Sequence, residues 1–150
     1  MGLDMNLYAK IYVGAEYEHR KVTGTVEVFS GKKKIDCGLN NLVYLVYNAA
    51  YWRKANHIHK WFVDNVQDGK DECQESYVSR ERLEELIQLC KKTLKNKNKA
   101  ADLLPTSSGY FFGSTEYDKY YYDDIKKTVQ MLETALKIYP DVHFTYNASW

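Results

Sequence analysis

The sequence predicts a single α+β domain in which about three helices pack on a mainly antiparallel sheet. Three observations lead to this class. Alternating apolar segments rich in β-branched and aromatic residues occur near both ends of the chain, helical periodicity fills the middle and the last third, and no linker or internal repeat divides the 150 residues. A chain of this length forms about one domain, so we expect residues 1–150 to fold as one unit.

The strands are predicted from alternation and from turn residues. Residues 5–13 mix apolar, β-branched and aromatic types, and residues 22–29 alternate with valines on one face. A glycine-containing turn follows, after which residues 33–37 return as the partner strand of a hairpin. Residues 42–51 fit either a strand or the start of a helix, because so short a run shows no decisive period. Residues 142–146 alternate as a last strand.

Three helices are predicted from apolar residues spaced three and four apart and from end signals. The first covers residues 53–66. The second is capped by Ser79, with acidic residues in its early turns and lysines in its last turn, as the helix dipole favours. The third begins near residues 115–118 and runs to Ile138, where Pro140 stops it.

Charge and hydropathy exclude two classes of partner. The chain carries 21 Lys and Arg against 20 Asp and Glu, so it lacks the overall basic field that drives binding to duplex nucleic acid. The longest apolar runs are much shorter than the ~20 residues of a membrane span, and the polar start is unlike a secretory signal. We therefore expect a cytoplasmic protein with no membrane partner.

Motifs for catalysis, metals and cofactors are not found. Three cysteines without CxxC spacing suggest neither a disulfide framework nor a zinc site. His57 and His59 are two residues apart in a predicted helix and point in different directions, which makes them poor joint metal ligands. The known hydrolase and metalloprotease signatures are missing. We expect no catalytic residue, no metal and no cofactor. The cysteines are Cys37, Cys73 and Cys90.

Aromatic residues are the unusual part of the composition. The chain contains 14 Tyr, 5 Phe and 3 Trp. One modest core does not easily bury so many rings, and exposed aromatic patches mark binding surfaces. We therefore expect a homo-oligomer, at least a dimer.

The first candidate site is residues 51–62, where basic, amide and imidazole side chains alternate with aromatic residues. This mixture suits a nucleotide, because helix amides and arginine bind phosphate and aromatic rings stack on bases. Arg53, Lys54 and His59 are expected to neutralise phosphate, while Trp52 or Tyr117 stacks on a base. The alternative is that the aromatic residues form core and the charges form a solvated face. The candidate ligand-binding residues here are Trp52, Arg53, Lys54, Asn56 and His59.

The second candidate site is residues 106–124, in which glycines, hydroxyls and aromatic residues lead into the third helix. Gly113 allows the backbone to approach an anion at a helix N-terminus. Glu116 and Asp118 would repel a phosphate but can accept from ribose hydroxyls or base amines. The alternative is that Ser114 or Thr115 only caps the helix. The candidate ligand-binding residues here are Phe111, Phe112, Gly113, Ser114, Thr115 and Tyr117.

Three motifs carry a resemblance to a known family. They are Met-Gly-Leu-Asp-Met at residues 1–5, Tyr-Trp-Arg-Lys-Ala-Asn-x-Ile-His-x-Trp-Phe-Val at residues 51–63, and Ser-Gly-x-Phe-Phe-Gly-Ser-Thr-x-Tyr-Asp at residues 108–118. The chain resembles a family of small bacteriophage and prophage proteins that begin Met-Gly-Leu-Asp-Met, over most of its length. Family members often have Tyr at position 6, where this chain has Asn6, so the stacking role of that position is not expected here.

The resemblance implies a phage origin and hence the host bacterial cytoplasm. By analogy, a small phage protein with a nucleotide-like site resembles the sponges that sequester signals of bacterial immunity, such as cyclic ADP-ribose isomers or cyclic dinucleotides, without cleaving them. Two alternatives remain open. One is a small enzyme that degrades or modifies such a nucleotide, with His59 as acid or base. The other is a protein-binding inhibitor of a host defence factor.

Overall fold

The fold is α+β, as predicted. A computed structural model describes residues 2–13, 18, 27–35 and 43–150. The strands are β1 (Asp4–Tyr12), β2 (Val28–Ser30), β3 (Lys33–Ile35), β4 (Tyr44–Arg53), β5 (Ser76–Val78) and β6 (His143–Ser149). The helices are α1 (Asn56–Val66), α2 (Arg80–Lys95), α3 (Ala100–Leu103) and α4 (Lys119–Ile138), with a short 3-10 turn at Lys97–Lys99.

A four-stranded antiparallel sheet with the order β4-β1-β6-β5 forms one layer of the domain. The central strand β1 pairs with β4 on one side and with β6 on the other, so that Leu7 lies opposite both Ala50 and Tyr146. A bulge between Leu7 and Tyr8 shifts the register with β4. The strands β2 and β3 form a separate hairpin.

Most of the predicted strands are confirmed where the structure describes them. Residues 5–13 correspond to β1, and residues 42–51, which the sequence left open, form strand β4 over their described part. The hairpin turns at Gly31, whose φ of 60° explains the glycine. Of the strand predicted at residues 22–29, residues 22–26 lie outside the described residues, as does Cys37.

The helix ends follow the sequence signals closely. The Ser79 side chain accepts a hydrogen bond from the Arg82 amide, as expected of an N-cap. Helix α4 ends at Ile138, just before Pro140. The first helix begins at Asn56 rather than at residue 53, because β4 continues through Arg53. The short helix α3 brings the number of α-helices in the described ranges to four.

The hydrophobic core lies between one face of the sheet and the helices. Met5, Leu7 and Ala9 alternate along β1 as fully buried residues, and each large side chain of this kind stabilises the fold by about 1.5–3 kcal/mol. From α1, Phe62 stacks on Tyr146 of β6 with ring centroids 3.9 Å apart. Helix α4 packs against both α2 and β4. This last contact places the start of α4 beside the end of β4.

None of the helices in the described ranges combines the length and apolar character needed to span a membrane.

Candidate functional site

The buried amide of Asn56 holds the two predicted sites together. Its Nδ2 donates to the Phe112 carbonyl at 3.0 Å and to the Ser114 carbonyl at 2.8 Å. Its Oδ1 accepts from the Ser107 amide at 3.0 Å. Asn56 is only 1% exposed, and these three bonds use both of its amide hydrogens and one acceptor site of its oxygen. Asn56 therefore positions the loop, and its contact with a ligand stays a prediction.

Gly113 and Lys54 meet at close range. Lys54 follows β4 with a positive φ of 59°, and Gly113 has a φ of 88°. A Cβ at position 113 would lie 3.0 Å from Lys54 Cβ and 3.3 Å from the Lys54 carbonyl oxygen. Because both the backbone angle and the contact favour glycine, this position sets how closely the loop approaches the end of β4.

A cleft of about 350 Å³ lies where β4 ends, α4 begins and the 113–118 loop passes between them. This volume is at the lower end of the range for small-molecule sites, ~300–1,000 Å³. Four of the predicted residues line it within one chain. They are Arg53, Lys54, Gly113 and Ser114.

The cationic residues of the cleft are available to an anion. The Arg53 side chain is 60% exposed, and its ion pair with Asp4 is long, at 3.9 Å from Nε to the carboxylate. Within the described residues, Lys54 forms no ion pair. The acidic residues Glu116 and Asp118 line the same cleft, so its charge is mixed rather than uniformly positive.

Trp52 is part of the core and not a free stacking platform. It is 3% exposed, and its Nε1 donates to the Thr128 hydroxyl at 2.8 Å. Because alternation along β4 turns Trp52 toward the helices and leaves Arg53 exposed, little of the Trp52 ring is open to a base. Trp52 does line a neighbouring cleft, and its base-stacking role stays a prediction.

His59 is also buried, at 1% exposed. Its Nδ1 lies 2.7 Å from the Tyr146 hydroxyl, and its Nε2 lies 3.0 Å from the Asp71 carboxylate. Burial raises the pKa of Tyr146, so its hydroxyl stays protonated. In the His59 tautomer with the proton on Nε2, this hydroxyl donates to Nδ1 and Nε2–H donates to Asp71. Both nitrogens are occupied, and the expected contact with phosphate is corrected to a structural role.

The hydroxyl residues of the second site do not cap the helix. The cap of α4 is Asp118, whose carboxylate accepts from the Tyr120 and Tyr121 amides. Ser114 Oγ instead accepts from the Glu116 amide at 3.1 Å, inside the loop. Asp118 therefore occupies two of the helix amides that an anion could have used, and the expected contact of Ser114, Thr115 and their amides with a ligand stays a prediction.

The remaining aromatic candidates surround the loop without lining the main cleft. Phe112 is 9% exposed and packs edge-on against His59 at 5.2 Å. Phe111 packs edge-on with Tyr110, and its carbonyl accepts from the Leu3 amide at 3.2 Å. Thr115, a candidate with a hydroxyl group, likewise does not line the main cleft, and its carbonyl accepts a hydrogen bond from Thr106 Oγ1.

Tyr117 contributes to the loop in the same way. Its hydroxyl accepts from the Thr106 amide at 3.3 Å, and its ring packs against Tyr121 at 4.9 Å. These contacts indicate a structural role for Tyr117 between the loop and α4, and stacking of a base on its exposed part stays a prediction.

His57 is a cleft residue that the sequence reasoning missed. It is 3% exposed, and its Nε2 has no hydrogen-bond partner among the described residues. Its ring packs on Tyr121 at 4.3 Å, and burial lowers its pKa to about 3, so it is neutral near pH 7. Local spacing gave no signal for this contact, because Arg53 ends β4 and His57 lies in α1, so the four residues between them do not form a helical turn.

Asp124 is the second missed residue. It lies on α4, lines the cleft and is half-buried, and this burial raises the pKa of its carboxyl. In the part of the chain that the structure describes, its carboxylate accepts no hydrogen bond and forms no ion pair. Nothing in the local sequence distinguishes it from its neighbour Asp123, which pairs with Lys126 at 3.3 Å.

A second cleft of about 320 Å³ adjoins the first. Arg53 and Asp124 line both clefts, so these two side chains form the boundary between them. The second cleft also receives the exposed ring of Tyr51 and the cation of Lys127. An elongated ligand therefore has room on both sides of Arg53.

Comparisons with protein-family models, with curated proteins and with solved structures find no match to this chain. Within the described ranges, no group of three or more His, Cys, Asp or Glu side chains is arranged to hold a metal ion. The chemistry of the cleft is therefore argued from its own residues.

Proposed function

We propose that this chain binds and sequesters a nucleotide-derived signal of bacterial immunity, of the cyclic ADP-ribose or cyclic dinucleotide class, without cleaving it. The observation that carries the proposal is the cleft itself. It joins Arg53 and Lys54 to the Gly113 loop and to the aromatic start of α4 within one chain. A nucleotide needs this combination of phosphate contacts and aromatic walls.

The cations provide the phosphate contacts. The Arg53 guanidinium can form two parallel hydrogen bonds to a phosphate, because its side chain is 60% exposed and its ion pair with Asp4 is long. Lys54 adds a point charge from the adjacent position, and Arg53 reaches into both clefts. A diphosphate or a cyclic phosphodiester that crosses the boundary between the clefts would satisfy these donors.

The acidic residues favour a nucleotide over inorganic phosphate. Glu116, Asp118 and Asp124 line the same cleft as the two cations. Carboxylates repel a simple anion, but they accept hydrogen bonds from ribose hydroxyls and base amines. A ligand with both an anionic part and a part rich in N–H and O–H donors matches this distribution of charge.

Holding the ligand fits this cleft better than cleaving it. The histidine at the cleft is His57, and its pKa of about 3 makes it a weak proton acceptor near neutral pH. The histidine proposed for catalysis, His59, is buried and bonded through both nitrogens. Sequestration requires only the charge pairing and aromatic contacts described above.

The biological setting of the proposal rests on the motif resemblance to phage and prophage proteins. A sponge of this kind acts in the host bacterial cytoplasm, where the immune signal is made. It lowers the free concentration of the signal in proportion to the amount of protein present. Tight binding and slow release are therefore the properties to measure.

The experiment incubates the pure protein with cyclic dinucleotides and cyclic ADP-ribose isomers, removes free ligand, denatures the protein by heat and analyses the released material by mass spectrometry. Return of an intact ligand supports sequestration. Return of a product with a changed mass supports the enzyme alternative. If no ligand is retained, the proposed function is wrong.

A further inference from the structure

The Asp124 carboxylate, at the boundary between the two clefts, has no hydrogen-bond or ion-pair partner among the described residues. Asp124 and Arg53 both line both clefts, one from α4 and the other from β4. Arg53 has the distant Asp4 as an ion-pair partner, whereas the Asp124 carboxylate has neither a hydrogen bond nor an ion pair among the described residues. Its position exposes it to anything that enters either cleft.

A half-buried carboxylate of this kind is partly desolvated, so a ligand that supplies a hydrogen-bond donor improves its environment. Partial burial removes water from the Asp124 carboxylate, and Lys127 is the main charge that offsets the loss. A desolvated polar group without a hydrogen bond is unfavourable, and a ligand that supplies an N–H donor removes the penalty on binding. The site therefore favours ligands with a donor at this point.

The surroundings of Asp124 favour a flat heterocycle. Tyr121 lies one helical turn before Asp124 and packs on His57 at 4.3 Å. Tyr120 lines the same cleft and is 77% exposed, so it offers a ring to a base. The neutral His57 imidazole, with its unpartnered Nε2, adds a polar atom beside these rings.

We propose that Asp124 is a specificity-determining residue that accepts a hydrogen bond from the exocyclic amine of an adenine-type base, an inference that rests on the proposed function. The base lies among Tyr120, Tyr121 and Asp124, while Arg53 holds the phosphate at the boundary of the clefts. The amine is favoured over a ribose hydroxyl because the aromatic side chains stand next to Asp124. Bases without this amine bind more weakly.

The test compares two ligands that differ only in the amine, adenosine 5′-monophosphate and purine riboside 5′-monophosphate, by titration calorimetry. The wild type is expected to prefer the amine-bearing ligand by about tenfold or more, the range of one hydrogen bond to a charged group. Asp124→Ala is expected to bind both ligands within about twofold of each other. Asp123→Ala is the matched control, because Asp123 is the adjacent residue and lines neither cleft.

The outcomes distinguish failure of the Asp124 inference from failure of the proposed function. Loss of the preference in Asp124→Ala but not in Asp123→Ala supports the inference. A preference that survives in Asp124→Ala, or a wild type without a preference, overturns it. A wild type that ignores adenosine 5′-monophosphate but retains a cyclic nucleotide also overturns the inference and leaves the proposed function standing. Binding of no nucleotide at all overturns both. If removing the ribose 2′-hydroxyl lowers affinity for the wild type but not for Asp124→Ala, the contact of Asp124 is with ribose and the inference is overturned.

Discussion

Single residues in this protein differ in role according to their burial and hydrogen-bond partners, not their residue type. His57 and His59 are two positions apart and both buried, yet His59 has partners on both nitrogens and His57 lacks one on Nε2. Trp52 and Arg53 are adjacent, yet Trp52 is almost wholly buried and lines only the second cleft, whereas Arg53 is exposed and lines both. The residues that can meet a ligand are those whose polar atoms the fold leaves without partners.

Arg53→Ala is expected to weaken nucleotide binding by about 1.5–3 kcal/mol, the contribution of a charge-assisted hydrogen bond. Titration calorimetry with the ligand retained by the wild type measures this loss. The control is Arg82→Ala, which removes the same charge from α2, where Arg82 pairs with Glu85 on the surface. Equal affinity of Arg53→Ala and the wild type would contradict the site.

His57 is expected to make the fold sensitive to acid. Its folded pKa of about 3 is lower than the ordinary value of 6.5, so the unfolded chain takes up the proton first as pH falls. Stability is fully present above about pH 6.5 and decreases toward pH 3, by roughly 5 kcal/mol over the whole window. Urea unfolding at several pH values measures the decrease.

His57→Phe keeps a ring against Tyr121 and removes the titrating group, so its stability is expected to fall less steeply between pH 6.5 and pH 4. His143→Gln is the control, because His143 is exposed. The same slope in His57→Phe and in the wild type would show that other groups cause the acid sensitivity.

At the scale of elements, the site depends on how a loop is fixed between β4 and α4. Asn56 binds the loop through three hydrogen bonds, and Gly113 lets it approach Lys54. Asp118 then ends the loop by capping α4. Different interactions thus hold the middle and the end of the loop. Asn56 and Gly113 set the shape of the cleft, whereas Asp118 stabilises the helix.

This separation predicts different effects for two alanine variants. Asp118→Ala removes the helix cap and is expected to cost about 1 kcal/mol of stability. The double variant Ser114→Ala and Thr115→Ala leaves the cap intact and is expected to cost less than about 0.5 kcal/mol, because these residues are exposed. Thermal unfolding measures both. A larger loss for the double variant would show that Ser114 or Thr115 supports the helix after all.

At the scale of the whole molecule, the cleft combines segments that are distant in sequence. The Leu3 amide donates to the Phe111 carbonyl at 3.2 Å, and the Leu3 carbonyl accepts from the Lys54 amide at 2.8 Å. The start of the chain therefore joins the end of β4 to the loop before α4. Local unfolding of any one segment would open the site, so ligand binding is expected to stabilise the fold as a whole.

The chain is expected to form at least a dimer in solution. Strand β4 is at one edge of the described sheet, and it carries exposed apolar side chains that include Val46 and Tyr47. Edge strands of this kind pair readily with another chain. Light scattering at tens of micromolar should give at least twice the chain mass of 17.6 kDa, and Val46→Lys should shift it toward the monomer. A monomer mass for the wild type would exclude the dimer.

The sequence by itself determined the fold class and most element ends, because these depend on local signals. Ser79 caps α2 and Pro140 follows the end of α4, as turn and cap chemistry require. Only the tertiary structure decided which polar residues form the cleft. Packing of α4 on β4 brings Asp124 to Arg53, and the start of α1 after β4 turns His57 rather than His59 toward the cleft. These contacts join segments about 70 residues apart, for which local periodicity carries no information.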